Sequence, residues 1–183
     1  MLLRKIAATA AVVCAALALT GCGSDDGPKQ TPGLNWADGL CQQLDKSGDM
    51  VSFPEVDMKK PKEAQASMLV FLTAMDTQLG AVEKWMKKTG APEVDGTKEG
   101  YDKAVANLAH TRSELGKART KLKDAKVTTT GSLVKVLASL DKDMAALNDY
   151  AGPHEELKKN EALKPAFAEA PKCLLVEKET KGS

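Results

Sequence analysis

Residues 68–86, MLVFLTAMDTQLGAVEKWM, decide the fold, because their apolar side chains recur at alternating steps of four and three residues. This spacing places one apolar stripe along a helix and is typical of helices that pack side by side. The stripe comprises Met68, Leu72, Met75, Leu79, Val82 and Met86, with Phe71 and Trp85 beside them. Pro61 suits a first helical position and Gly90 indicates a stop, so we predict one long helix between them.

Two later segments repeat this spacing. The first runs from about Lys98 to Lys126, with a polar opposite face, as expected of a helix that buries one side. Its stripe comprises Ala104, Leu108, Thr111, Leu115, Ala118, Leu122 and Ala125. The second follows Thr128-Thr129-Thr130-Gly131, where a threonine or Ser132 can cap a helix, and it ends at Gly152-Pro153. Its stripe comprises Leu133, Leu137, Leu140, Met144, Leu147 and Ala151.

Shorter elements flank these three helices. We predict a first helix over Asn35–Lys46 and a loop over Ser47–Lys60, which contains glycine and proline. The stretch His154–Ala170 is expected to be helical with a break near Pro165. The tail after Cys173 is expected to fray.

The composition also favours helices over strands. The chain is rich in alanine, leucine, lysine and glutamate, and only 4% of its residues are aromatic. Long helices with short connections pack as antiparallel neighbours. We therefore predict an all-α fold, an up-and-down antiparallel helical bundle of about four helices.

The chain begins with the three parts of a lipoprotein signal peptide, residues 1–21. Arg4 and Lys5 supply the positive charge, and the uncharged run Ile6–Leu19 is shorter than the roughly 20 apolar residues of a transmembrane helix. Leu19-Thr20-Gly21-Cys22 is typical of a lipobox, in which the cysteine thiolate takes up a lipid as a thioether. An ordinary secretory signal with a chance cysteine is the alternative.

These features predict how the mature chain is organised. Residue Cys22 is expected to carry a diacylglyceryl group and a further acyl chain such as palmitate, which together anchor it to the outer face of a bacterial cell membrane. Residues 22–34 are the lipidated cysteine and a small, polar, flexible tether. Residues 35–175 are the helical domain, and 176–183 the frayed tail.

Two cysteines remain for the folded domain. Cys14 leaves with the leader and Cys22 carries the lipid, which leaves Cys41 and Cys173. Outside the cytoplasm an isolated pair most simply forms a disulfide. We predict a Cys41–Cys173 bridge that ties the first helix to the C-terminal end of the domain.

Several short motifs resemble those of small secreted lipoproteins of actinobacteria. They are the lipobox, the polar tether, Trp36-Ala37 and Leu40-Cys41, Gly90-Ala91-Pro92, and Ala170-Pro171-Lys172-Cys173. The resemblance covers most of the chain and implies an extracytoplasmic location and a two-cysteine layout. It carries no catalytic residues.

Residues able to bind metals are present but scattered. His110 lies on a polar helix face with only Glu114 nearby, and His154 follows a helix start, so we expect both histidines at the surface. Zinc needs three or four converging ligands. The methionines at 68, 75, 86 and 144 lie on the stripes, where core packing is the expected role rather than copper binding.

The remaining observations define the function classes. The chain has no G-x-S-x-G motif and no Gly-rich phosphate loop, so we predict no enzyme and no cofactor. Arg112 and Arg119 flank a stripe, where we expect their charged ends to extend to solvent; a neighbouring helix or an anionic ligand is the alternative. Without Arg4 and Lys5 the chain has 24 basic and 25 acidic residues. This balance predicts no basic surface for nucleic acid.

We therefore expect a non-enzymatic binding or interaction module of the bacterial cell envelope, monomeric and held to the membrane through Cys22. Its partner is expected to be an envelope protein. A carrier or sensor component for a small apolar ligand held between the helices is the alternative. A coiled-coil oligomer also fits the spacing of the stripes.

Overall fold

The computed structural model describes residues 30–48, 53–144, 150 and 152–181. In these ranges the chain forms seven α-helices and no β-strand, which confirms the all-α prediction. The helices are α1 (Leu34–Gly48), α2 (Pro61–Thr89), α3 (Lys98–Asp124), α4 (Thr130–Met144), α5 (Gly152–Leu157), α6 (Lys164–Glu169) and α7 (Pro171–Lys181). None of the described helices has the length and apolar character that a membrane crossing requires. The predicted leader and Cys22 lie outside the described residues.

The two longest helices, α2 and α3, run antiparallel and form the frame of the domain. At one end the Tyr101 hydroxyl donates to the Met86 carbonyl at 2.8 Å. At the other end the Gln65 side-chain amide donates to the carbonyls of Leu122 and Ala125 at 2.6 and 2.9 Å. We refer to these as the Gly90 end and the Pro61 end, after the residues that bound α2.

The stripes predicted for α2 and α3 are the faces that these helices bury. Six of the seven stripe residues of α3 are buried, and Ala125, just beyond the helix, is half-buried. In α2, Leu72, Val82 and Met86 are buried, while Met68, Met75 and Leu79 are partly buried against the core. The periodicity of the sequence therefore identified the packing faces.

The helix α4 packs at the Pro61 end. Leu140 belongs to a core cluster with residues of α2 and α3, and Leu133 packs with Ala64 and Val127. The predicted cap is present: Thr129 Oγ1 accepts from the Ser132 backbone N–H at 3.2 Å. This bond satisfies one of the donors left free at a helix start. Leu147 and Ala151, the last stripe residues predicted for this helix, lie outside the described residues.

The remaining helices gather at the Gly90 end. The helix α1 contacts α2, α6 and α7, and α5 contacts α3. Beyond α1, residues 53–57 have no regular secondary structure, and Phe53 meets Phe71 of α2 edge-on with ring centroids 5.2 Å apart. The core here combines Trp36 and Leu40 of α1 with side chains from five other helices.

Two boundaries differ from the sequence predictions, and one is confirmed. Gly152, at a φ of +88°, begins α5, whereas we expected Gly152-Pro153 to end the preceding helix. The predicted break near Pro165 is confirmed, because α5 ends at Leu157 and α6 begins at Lys164. Pro165 itself lies in the first turn of α6, where a proline ring is tolerated. The helix α7 continues to Lys181, past residue 175 where we placed the end of the folded domain.

Candidate functional site

The predicted disulfide joins the first helix to the last. Cys41 of α1 and Cys173 of α7 are bonded, with Cα atoms 5.0 Å apart, and both residues are fully buried. Two polar contacts join the same helices: the Lys172 backbone N–H donates to Asp38 at 2.8 Å, and its ammonium group lies 3.1 Å from Asp45. A covalent bond and two polar contacts therefore hold α1 and α7 together.

The prediction that His154 lies at the surface is wrong. His154 is only 5% exposed, and its ring meets Phe167 of α6 edge-on with centroids 5.2 Å apart. His154 is buried because α5 packs against α3, and its neighbours Pro153 and Leu157 on the same short helix are buried too. A helix of six residues is too short to show a periodicity, so only the fold reveals which of its faces is buried.

The two nitrogens of the His154 ring have different surroundings. Nδ1 lies 3.2 Å from Glu155 Oε1. Nε2 is buried, and the described residues offer it no hydrogen-bond partner. Burial lowers the pKa of His154, with the Glu155 carboxylate opposing the shift. Lys158 donates to Glu155 at 2.8 Å and to Glu177 of α7 at 3.1 Å, which holds that carboxylate in place.

The histidine lies beside the disulfide. One imidazole nitrogen of His154 and the sulfurs of Cys41 and Cys173 all lie within 4.8 Å of one another. Within the described ranges, these residues form the one group of three with the side-chain types and spacing of a metal site. The elements that bring them together are α1, α5 and α7, which are far apart in sequence.

Arg112 and Arg119 reach across to the neighbouring helix, whereas we expected them to extend along the edge of the stripe to solvent. The Arg112 guanidinium donates to Asp76 at 3.0 Å and to Glu83 at 2.5 Å, and Arg119 lies 3.3 Å from Asp76. A hydrogen bond from Lys87, joined by the one from Arg112, lowers the pKa of Glu83, which is mostly buried. These arginines bind α2 to α3, so they serve the packing of the domain.

The other predicted positions are ordinary surface or core. His110 is exposed, and its Nδ1 lies 4.0 Å from Glu114. Met86 is fully buried, and Met68 and Met75 pack against the core, as predicted for α2. The side chain of Met144 lies outside the described residues.

A surface cleft of about 420 Å³ lies at the Gly90 end, where the chain enters the domain. Residues 30–36 form one wall and Thr89, Ala91 and Glu93 the other. The Trp36 indole N–H donates to the Gly90 carbonyl at 2.9 Å and fixes this wall to α2. Because the cleft is open and partly polar, it differs from the enclosed apolar cavity that a carrier of apolar ligands needs.

Comparison with known proteins gives no match. No model of a protein family matches the chain, and neither a curated protein nor a solved structure does so. The function must therefore be inferred from the residues and their arrangement.

Proposed function

We propose that the chain is a lipoprotein of the bacterial cell envelope, a non-enzymatic interaction module anchored by lipid on Cys22 to the outer face of the membrane. Its helical domain is taken to be an up-and-down bundle built on α2 and α3. The observation that carries the proposal is Leu19-Thr20-Gly21-Cys22 after a short apolar run.

The geometry of the Gly90 end supports this arrangement. Gln30 lies beside the cleft there, so the tether leaves the domain from that end. Residues 22–29 reach at most about 28 Å when fully extended. Anchoring at Cys22 therefore keeps the Gly90 end near the bilayer, and the Pro61 end can extend about 43 Å further away along α2.

The half of α2 that begins at Pro61, together with Phe53 packed against it, offers an apolar surface for a partner. Phe53 and Val70 are 68% and 70% exposed, more than Val134, Leu174 and Leu175, the other exposed large apolar side chains among the described residues. Val70 lies about 28 Å along the axis of α2 from Thr89, at 1.5 Å per residue. We propose an envelope protein as the partner that contacts this surface.

The test compares two cysteine variants in a bacterium that processes lipoproteins. The natural chain and Cys14→Ser should both partition into detergent, and their N-terminal peptide should begin at Cys22 with the mass of an acylated cysteine. Cys22→Ser should lose the acyl mass. An acylated Cys22→Ser protein, or a natural chain with an unmodified N-terminus, would refute the proposal.

A native mass spectrum of the exported protein separates the module from the carrier. An interaction module should appear as a monomer with the mass of the lipidated, disulfide-bonded chain. A persistent additional mass of a few hundred daltons would show a carried ligand and favour the carrier instead.

A further inference from the structure

The disulfide region combines three groups that bind soft metal ions. The sulfurs of Cys41 and Cys173 and an imidazole nitrogen of His154 lie within 4.8 Å of one another, and all three residues are at least nine-tenths buried. Two thiolates and an imidazole are ligands that Zn²⁺ prefers. In the bridged form the sulfurs are bonded to each other, so the set becomes available only when the bridge opens.

The imidazole shares one feature with metal-binding histidines, a carboxylate beside one of its ring nitrogens. In such sites a histidine usually donates its second ring N–H to a carboxylate, which fixes the tautomer. Here Nδ1 lies 3.2 Å from Glu155, and that carboxylate is also held by Lys158 at 2.8 Å. With the ring proton on Nδ1, the lone pair is on Nε2, the buried atom for which the described residues provide no partner.

We propose that Cys41, Cys173 and His154 form a redox-gated zinc site, closed in the disulfide form and opened by reduction. A tetrahedral ion with bonds of about 2.3 Å to sulfur needs the sulfurs about 3.8 Å apart. Reduction frees the sulfurs to separate. The imidazole nitrogen, within 4.8 Å of them, then has to approach by about 1 Å to reach the roughly 3.6 Å between nitrogen and sulfur in a tetrahedral zinc site. A water molecule takes the fourth position.

The redox step balances with a dithiol as reductant. The dithiol gives two electrons and two protons to the bridge, which becomes two cysteine thiols, and is itself left as a cyclic disulfide. Zn²⁺ then replaces the two thiol protons, which pass to solvent, while the imidazole contributes its lone pair. The charge of the site is unchanged, because two positive charges enter and two leave.

The experiment uses the complete chain with Cys14→Ser and Cys22→Ser, so that Cys41 and Cys173 are the only cysteines. The protein is kept in mild detergent, reduced with dithiothreitol and freed of it under argon. Co²⁺ is added as a spectroscopic probe, followed by competition with Zn²⁺. The reduced chain should bind one Co²⁺ with the visible bands of tetrahedral coordination and a thiolate charge-transfer band, and Zn²⁺ should displace it. The oxidised chain should give neither band.

Variants assign the ligands. His154→Ala should weaken binding of Zn²⁺ by more than about 100-fold, and Glu155→Gln by about 10- to 100-fold as an outer partner. His110→Ala, which removes the exposed histidine, should bind as the parent does. If His154→Ala does not fold, as judged by circular dichroism, Glu155→Gln decides on its own.

Three results would overturn the proposal. They are the absence of the Co²⁺ bands in the reduced parent chain, equal affinity in the parent chain and in folded His154→Ala or Glu155→Gln, and the same bands in the oxidised chain.

Discussion

The contact between Gly80 of α2 and Arg112 of α3 gives a sharp test of the packing. A Cβ built on Gly80 would lie 3.0 Å from Arg112 Nη2 and 3.1 Å from Cζ, whereas one on Gly116 would have nothing within 4 Å. Both glycines are inside long helices. Changing each to alanine therefore compares the same gain in helix propensity with and without a steric conflict.

The expected magnitude follows from two opposing effects. Alanine in a helix interior is favoured over glycine by about 0.8–1.0 kcal/mol, so Gly116→Ala should stabilise the domain by about that amount. At Gly80 the methyl group pushes the guanidinium away from α2, where Asp76 and Glu83 hold it at 3.0 and 2.5 Å. Losing one such hydrogen bond costs about 1.5 kcal/mol. This is the lower end of the range for hydrogen bonds between charged groups, and we use it because the Arg112 side chain is one-third exposed to solvent. Gly80→Ala should therefore destabilise by about 0.5 kcal/mol.

A double-mutant cycle in urea, followed by circular dichroism, measures the effect. In an Arg112→Ala background the conflict is gone, and Gly80→Ala should then stabilise by about 1.0 kcal/mol. The coupling between the two positions is thus about 1.5 kcal/mol. Equal stabilisation by Gly80→Ala and Gly116→Ala in the natural background would refute the close approach of these helices.

Two further predictions concern the bridge and the Glu83 carboxylate. Cys41→Ala with Cys173→Ala should lower the free energy of unfolding by up to about 5 kcal/mol, the chain-entropy value for residues 132 apart, and an unchanged urea midpoint would contradict this. Because the pKa of Glu83 is lowered on folding, its stabilising effect is present above pH 4.5 and is lost as the pH falls through the folded value. The stability difference between the natural chain and Glu83→Gln should therefore shrink in acid, whereas a difference independent of pH would exclude a lowered pKa.

The long helices could be predicted because each runs for several turns. Over such lengths one stripe recurs often enough to identify both the helix and its buried face, as at Leu108 and Leu115. The disulfide was predictable for a different reason, since assigning Cys14 and Cys22 to the leader and the anchor left a single pair.

The short helices and the surroundings of His154 could not be predicted. The helices α5 and α6 have six residues each, fewer than two turns, so their buried faces are set by the helices against which they pack. The pairing of Arg112 with Asp76 and Glu83 likewise depends on the register between two helices. The sequence showed only that this arginine flanks a stripe.

The disulfide lies where the proposed anchor would load the fold. Under anchoring at Cys22, any pull on the tether enters the domain at α1, which begins at Leu34. Cys41 lies two turns further on, and from there the bridge carries the load into α7. Without the bridge, α1 would be held to α2, α6 and α7 only by non-covalent contacts, which a pulling force can break one after another. The bridge prevents this stepwise detachment, because α1 is covalently bonded to α7 and cannot separate from the domain by itself. A redox-sensitive bridge at this position would couple the state of the cysteines to the mechanical integrity of the anchored end.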